Sequence, residues 1–186
     1  MITLIAGPSG SGKTTLAQYL AGKKPSVIVS LDDFYFSKET KPRISSVGIW
    51  GNDPNYCDAE SLIEVASALK EGESTLSPKF SFLTQDRTDP QLIEPQKNII
   101  VEGLWTLNFP ALRELADYRI YLEVPYKIRL ERRLERDMQR GRNKEASLSI
   151  AHEVDSMAET HVEPFKKFAN IVIETNSEGE TFVRRD

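Results

Sequence analysis

Short apolar runs alternate along the chain with longer stretches of helical period, and this alternation predicts an α/β domain built on a parallel sheet. Strands are predicted over about 2–6 (Ile-Thr-Leu-Ile-Ala), 27–31 (Val-Ile-Val-Ser-Leu), 98–102 (Asn-Ile-Ile-Val-Glu), 118–124 (Tyr-Arg-Ile-Tyr-Leu-Glu-Val) and 170–174 (Asn-Ile-Val-Ile-Glu). Several are apolar nearly throughout, as strands covered by helices on both faces must be. A first helix is predicted from Lys13 to about Ala21, stopped by Gly22. A second follows Asp58, an N-capping residue type; it carries Leu62, Val65, Ala66 and Leu69 at i, i+3, i+4 and i+7 and ends at Gly72. A long helical stretch follows Pro125, and a further helix covers about 145–168 with a break near Pro164. Segments 36–57 and 73–97 are rich in Pro, Gly, Ser, Thr and Asp and show no clear period. Loops of that length inside a compact domain are usually functional, so both are expected to form an acceptor pocket.

Composition removes several alternatives. A length of 186 residues with 39% hydrophobic positions fits one domain spanning 1–186 and excludes disorder. No apolar run approaches the roughly 18 residues of a membrane span, and Met1–Ala6 is too short and lacks the basic leader of a signal peptide. Cys57 is the only cysteine, which points to a reducing, cytoplasmic setting and permits no internal disulfide. A net charge of −4 argues against general nucleic-acid binding, and two histidines with one cysteine cannot build a common zinc site.

Residues 7–14 read Gly-Pro-Ser-Gly-Ser-Gly-Lys-Thr, a full match to G-x-x-x-x-G-K-[ST], with an apolar strand before it and a helical pattern after. Glycines let the backbone turn its N–H groups around phosphate oxygens, and the helix N-terminus adds partial positive charge. Gly7, Ser9, Gly10, Ser11, Gly12, Lys13, Thr14 and Thr15 are therefore candidate nucleotide-binding residues. Lys13 is expected to reach the β- and γ-phosphates and the Thr14 hydroxyl to ligate Mg²⁺. Neither an Asn-Lys-x-Asp guanine-specifying element nor an ABC signature is present.

The second strand runs into Leu31-Asp32-Asp33-Phe34-Tyr35. Ligands of a parallel sheet sit beyond the carboxyl ends of its strands, so Asp32 is expected near the γ-phosphate as proton acceptor for an attacking hydroxyl. Asp33 is open between catalysis and capping of the next segment. The third strand ends Val101-Glu102-Gly103, and Glu102 suits a direct or indirect Mg²⁺ partner. Along 129–142, Arg129, Arg133, Arg136 and Arg140 fall within an arc of about 60° at helical period, beside a stripe of Leu130, Leu134 and Met138. An uncompensated guanidinium face of this kind fits a lid that closes over phosphates, at about 126–145.

Assembled in this order, the chain resembles the uridine kinase family, within the wider group that holds phosphoribulokinase, bacterial pantothenate kinase and nicotinamide riboside kinase. The resemblance covers Ile2 to about Glu174. It rests on Leu-Asp-Asp-Phe-Tyr at 31–35, Val-Glu-Gly at 101–103 and Arg132-Arg133-x-x-Arg136-Asp137-x-x-Arg140-Gly141-Arg142. It implies a P-loop NTPase fold, three-layer αβα, with a five-stranded parallel sheet and a helical arginine-bearing lid. It further implies Asp32 as base, with Lys13 and Arg136 as its catalytic partners, and Thr14, Asp32 and Glu102 around magnesium. Arg136, Arg140 and Arg142 would contact ATP, and Arg133 the acceptor's ribose. Relatives in this group often form oligomers, so a homo-oligomer is one implied state.

The acceptor side departs from the family pattern. Trp50-Gly51-Asn52-Asp53-Pro54 resembles the segment that carries a ribose-binding aspartate, with Asn52 in its usual position and Asp53 beside it; either is open as the diol ligand. Pro78–Arg87 resembles the base-reading segment, with Phe80 and Gln85 where tyrosine and histidine are usual, and Arg87 retained. Lost polar contacts weaken discrimination of a base. Tyr35, Asn52, Asp53, Phe80, Gln85, Arg87 and Arg133 are thus the candidate acceptor residues together with Asp32. The expected function is ATP-dependent phosphoryl transfer to a nucleoside-like or sugar-like hydroxyl. A nicotinamide riboside or pantothenate type of acceptor is one alternative, and a nucleotide-binding regulatory module without acceptor chemistry is another.

Overall fold

β1 (Ile2–Ala6) lies at the centre of the main sheet and is buried along its whole length. The computed structural model describes residues 1–37, 39–40 and 53–185; of the acceptor candidates, Asn52 falls outside these, as does Trp50. β1 pairs in parallel with β5 (Asn98–Glu102) on one side and β6 (Tyr118–Glu123) on the other. β2 (Ser26–Ser30) continues the sheet beyond β5, and β7 (Ile171–Thr175) continues it beyond β6. All five predicted strands are present and parallel, with ends within one residue of the sequence reading. A sixth strand was not read: β8 (Thr181–Arg185) pairs antiparallel with β7 and closes the order β2-β5-β1-β6-β7-β8. Its Phe182 and Val183 are exposed, so it lacks the buried apolar run that marks the others.

Alternating side chains divide between two faces. Ile2, Leu4, Ala6, Ile99 and Val101 pack with α2 (Ala59–Glu71), through Leu62, Val65, Ala66 and Leu69. Ile5, Ile100, Ile120 and Leu122 pack with Ala17, Leu16 and Leu20 of α1 (Lys13–Ala21). Helices on both faces make the three layers. The Asp58 side chain accepts from the Ser61 N–H at the start of α2, as its position predicts, and Gly72 ends that helix in the left-handed region at φ 86°. Gly22 also follows a helix end, but its φ of −70° is right-handed, so α1 stops there without a glycine-specific cap.

The stretch 73–97 differs from its expectation as a loop: it forms a hairpin of β3 (Thr75–Ser81) and β4 (Asp86–Ile93), a separate two-stranded antiparallel sheet. Pro78 sits at a register shift between Ser77 and Lys79, and most of β4 faces solvent, so neither strand shows a clean alternation. A short α3 (Pro110–Leu115) precedes β6. The chain then runs through α4 (Tyr126–Gln139) and α5 (Lys144–His161), and the predicted break at Pro164 is a 3₁₀ turn over Glu163–Phe168. Among the described residues no helix is long and apolar enough to cross a membrane.

Candidate active site

The loop between β1 and α1 lies at the carboxyl edge of the sheet, where the helix begins with its N–H groups unpaired by geometry. Gly12 caps α1 at φ 96°, in the left-handed region. Gly10 has φ 83°, and a Cβ there would lie 2.6 Å from the Arg129 carbonyl oxygen, so the loop packs directly on the first turns of α4. The Lys13 ammonium donates to the Gly7 carbonyl at 2.9 Å and the Pro8 carbonyl at 3.1 Å, which folds it back over the loop. Loss of surrounding water lowers its pKa, against the raising effect of Glu102 and Asp32. The Ser11 hydroxyl is buried with no hydrogen-bond partner among the described residues. A cation over a ring of backbone donors, with an orphaned hydroxyl beside it, suits an incoming polyphosphate.

Two carboxylates converge on that cation. Glu102, at the end of β5, is 5% exposed, and its Oε1 accepts from the Thr14 hydroxyl at 3.1 Å and the Ser30 hydroxyl at 3.2 Å. Asp32 lies in the 3₁₀ turn Leu31–Phe34 that follows β2 and is open to the cleft. Its pKa is pushed up to about 6, first by the protein mass crowding the cleft floor, then by Glu102, with Lys13 opposing. Asp33 caps nothing; it pairs with the Lys79 ammonium at 2.6 Å, ties the turn to β3, and adds to the upward push on its neighbour Asp32.

The acceptor candidates divide. Tyr35 is 2% exposed and stacks among Phe80, Phe82 and Trp105 at centroid distances of 5.5, 5.6 and 5.8 Å, so it belongs to the aromatic core beneath the hairpin. Phe80 is half-buried on the same cluster. Arg87 donates to the Tyr35 carbonyl at 3.0 Å and pairs with Asp58 at 2.8 Å, which fastens β4 to the start of α2. Asp53 is buried, and its Oδ1 accepts from the Asn55 backbone and side-chain amides at 2.9 and 2.8 Å, as cap of the turn Pro54–Tyr56. Gln85 occupies the exposed hairpin turn at φ 54°.

The arginine helix is turned differently from its expectation. The buried residues of α4 are Arg129, Arg133 and Asp137, while Leu130 and Leu134 are half-buried and Met138 is 57% exposed. Arg129 is not part of a free cationic face: it pairs with Asp155 of α5 at 2.6 Å and donates to the Val124 carbonyl at 2.9 Å. Buried guanidiniums take the inner edge because α5 offers a carboxylate there, which overrides the apolar stripe. Arg136 and Arg142 stay about half exposed beside Asp137, and Arg140 is exposed at the end of the helix. Arg136 lies near enough to lower the pKa of both Asp32 and Lys13.

A cleft of 540 Å³ opens beside the loop, lined by Ser11, Gly12 and Thr15, by Leu16 and Tyr19 of α1, by Leu122 and Val124, by Arg132, and by Ile173, Thr175 and Thr181. Apart from the loop residues and Arg132 of the lid motif, this wall was missed by sequence reasoning. Tyr19, 61% exposed one turn beyond Thr15, was the available signal; Thr181 belongs to the unread strand β8.

A strand–loop–helix phosphate cradle with two carboxylates at the neighbouring strand ends defines a nucleotide-dependent phosphotransferase of the P-loop class. Within that class, the chain belongs to the phosphoribulokinase / uridine kinase family, whose model matches residues 2–181. It is 33% identical over 174 residues to uridine kinase of Latilactobacillus sakei, covering 91% of this chain and 82% of that protein. It is 30% identical over 174 residues to phosphoribulokinase of a Synechocystis strain, covering 91% of this chain but 52% of that relative, about half its length. Among solved structures, D-glycerate 3-kinase from Cryptococcus neoformans matches with TM-score 0.67 at 14% identity, over 100% of this chain and 89% of that one. Phosphoribulokinase from Rhodobacter spheroides matches with TM-score 0.64 at 16% identity, over 92% and 69%. These two share the fold. The protein is a P-loop kinase for a small-molecule hydroxyl acceptor.

Proposed function

We propose that the protein transfers the γ-phosphoryl group of ATP to a hydroxyl of a nucleoside-like or sugar-like metabolite. The observation that carries this reading is the meeting of Asp32, Glu102 and Lys13 at the mouth of the phosphate loop, with each altering the proton affinity of another. In the reaction, the acceptor oxygen attacks the γ-phosphorus as the bond to the β,γ-bridging oxygen breaks, and ADP leaves. The acceptor proton passes to Asp32, whose raised pKa suits a base that must release it again near neutral pH. Lys13 exchanges its contacts with the Gly7 and Pro8 carbonyls for phosphate oxygens, and Arg136 adds charge stabilisation on the transferring group. Arg140 and Arg142 contact the polyphosphate. Arg133 is buried on the inner edge of α4, so it reaches the acceptor only if its guanidinium turns outward.

The donor set at Thr14 and Glu102 fits Mg²⁺. All the donors are hard oxygens, and magnesium usually takes one or two carboxylates with phosphates and waters completing its octahedron. Thr14, Glu102 and Asp32 would hold the ion, which would neutralise charge between the β- and γ-phosphates. Glu102 keeps the Thr14 hydroxyl in place by accepting its hydrogen bond.

The 540 Å³ cleft beside α1 suits the nucleotide's base and ribose, with Tyr19, Leu122, Val124 and Ile173 as its apolar walls. On the acceptor side, Phe80 and the aromatic cluster beneath it favour a flat or apolar group, while Gln85 supplies the one amide at the hairpin turn. The names of the relatives support a polyhydroxylated acceptor. The experiment is a screen of nucleosides, nicotinamide riboside, pantothenate and sugar phosphates for acceptor-dependent ADP release, run on wild type and Asp32→Ala. An acceptor that stimulates only the wild type supports the reading. No stimulation by any of them, with ATP binding intact, favours a nucleotide-binding module instead.

A further inference from the structure

Asp137 has no task in the reading above, yet its side chain is 1% exposed beneath the arginines of α4. Its Oδ1 lies 3.4 Å from both Nε and Nη2 of Arg136, and its Oδ2 lies 3.5 Å from Nη1 of Arg142. Among the described residues Oδ2 finds no hydrogen-bond partner, and neither does the Nε of Arg133, one turn earlier and 8% exposed. The chain also turns back at this residue: the Asp137 main-chain carbonyl accepts from the N–H groups of Arg140 at 3.2 Å and Arg142 at 3.0 Å. A buried carboxylate is unfavourable without cations nearby, and clustered guanidiniums repel one another. Each group here relieves the other.

The length of these contacts separates this cluster from the other acid–arginine pair on the helix. Arg129 meets Asp155 at 2.6 Å with its own side chain 8% exposed, so it is engaged and withdrawn from the surface. Arg136 and Arg142 stand at 3.4 and 3.5 Å, beyond the about 2.7–2.9 Å of a tight charge-assisted bond, and keep 43% and 46% exposure. Their outer N–H groups remain available to an anion. A carboxylate at this distance gathers the guanidiniums without consuming them.

We propose that Asp137 is a positioning residue that holds Arg136 and Arg142 together, facing the polyphosphate, before the nucleotide arrives. It acts through those arginines and touches neither substrate. The proposal rests on the lid reading stated above.

The experiment compares Asp137→Asn, Asp137→Glu, Arg136→Ala and the Asp137→Asn/Arg136→Ala double variant in the full chain. It measures kcat, nucleotide Kd and thermal unfolding for each. Asp137→Asn should lower kcat about tenfold or more while nucleotide Kd stays within about threefold, because the lid gains one net positive charge as it loses order. Asp137→Glu, which keeps the charge, should recover most of the lost kcat. In the Arg136→Ala background, Asp137→Asn should lower kcat clearly less than it does in wild type, since only the part of its effect that passes through Arg142 remains. The proposal is overturned by a kcat within about twofold of wild type for Asp137→Asn, or by an equal loss in both backgrounds. If Asp137→Asn fails to fold, Asp137→Glu decides: a folded Glu variant that recovers no activity overturns the proposal, since the restored charge then fails to restore the arginines. If Arg136→Ala itself leaves kcat unchanged, the lid reading fails; if that variant is impaired and Asp137→Asn is not, only the role of Asp137 fails.

Discussion

Gly103 and Leu31 are in a contact that admits no side chain between them: a Cβ at Gly103 would lie 2.3 Å from the Cβ of Leu31. Gly103 follows Glu102 at the end of β5, and Leu31 opens the turn that carries Asp32. The missing side chain lets the two strand ends close, and their closure brings the two carboxylates to one cleft. Gly103→Ala should push the Leu31 turn away at a cost of about 1–3 kcal/mol, typical of overpacking. Activity should fall by about tenfold or more as Asp32 is displaced, since small misplacements at a reacting centre are costly. Thermal unfolding and kcat on one preparation check both, and an alanine variant with normal kcat would show that the close approach does not set the carboxylate geometry.

The elevated pKa of Asp32 gives the reaction a pH signature. The base must be ionised, so kcat/KM should fall by about tenfold per pH unit below an acidic limb that lies at about 6 without the metal ion and lower with Mg²⁺ beside the carboxylate. Above that limb the profile should level. A profile at limiting acceptor, from pH 4 to 8 at two Mg²⁺ concentrations, tests this; an acidic limb that survives in Asp32→Asn contradicts the assignment of the base.

The same shift has a consequence for stability. The folded-state pKa lies above the ordinary aspartate value of 3.8, so the ionised form is disfavoured by folding. The penalty is absent at low pH, grows as pH rises through the interval from 3.8 to about 6, and is full above it. Asp32→Asn removes it. After discounting for the openness of the carboxyl to cleft water, the variant should melt about 2–4 °C higher at pH 7, as about 1 kcal/mol produces at this chain length. The gain should vanish toward pH 4. Calorimetry at the two pH values decides, and an equal gain at both would assign it to something other than ionisation.

Arg129 and Asp155 join α4 to α5 through a largely buried pair at 2.6 Å. Asp155→Ala leaves the guanidinium buried without its partner and should cost about 3 kcal/mol or slightly more. Nucleotide affinity should change much less than stability, because the Arg129 guanidinium is held in the α4–α5 contact by Asp155 and the Val124 carbonyl. Denaturant unfolding beside nucleotide titration tests this, and a large affinity loss at unchanged stability would return Arg129 to the phosphate-facing set.

The parallel strands and the phosphate loop were legible because each rests on local chemistry. A strand covered on both faces must be apolar throughout, and a backbone that wraps phosphate needs glycines at fixed spacing. Asp32 and Glu102 were placed by the rule that ligands gather at the carboxyl ends of parallel strands. β8 and the β3–β4 hairpin were not legible, because exposed strands with proline and polar residues carry no strong period. The role of Gly103 was equally hidden, since the atom it must avoid belongs to a residue more than seventy positions away.

The chain's order of residues alone determined the class of fold, the polyphosphate cradle and the acidic groups at its edge, since these depend on short-range pattern. Tertiary structure decided which charges are spent and which are available. Arg129 and Arg133 share one helical arc with Arg136, and Arg87 sits in a segment that resembles a base-reading strand. Only the packing of α5 against α4, and of β4 against α2, assigns Arg129 to Asp155 and Arg87 to Asp58. A guanidinium is long and pairs with whatever anion folding brings within reach, so its partner is set by neighbours distant in sequence.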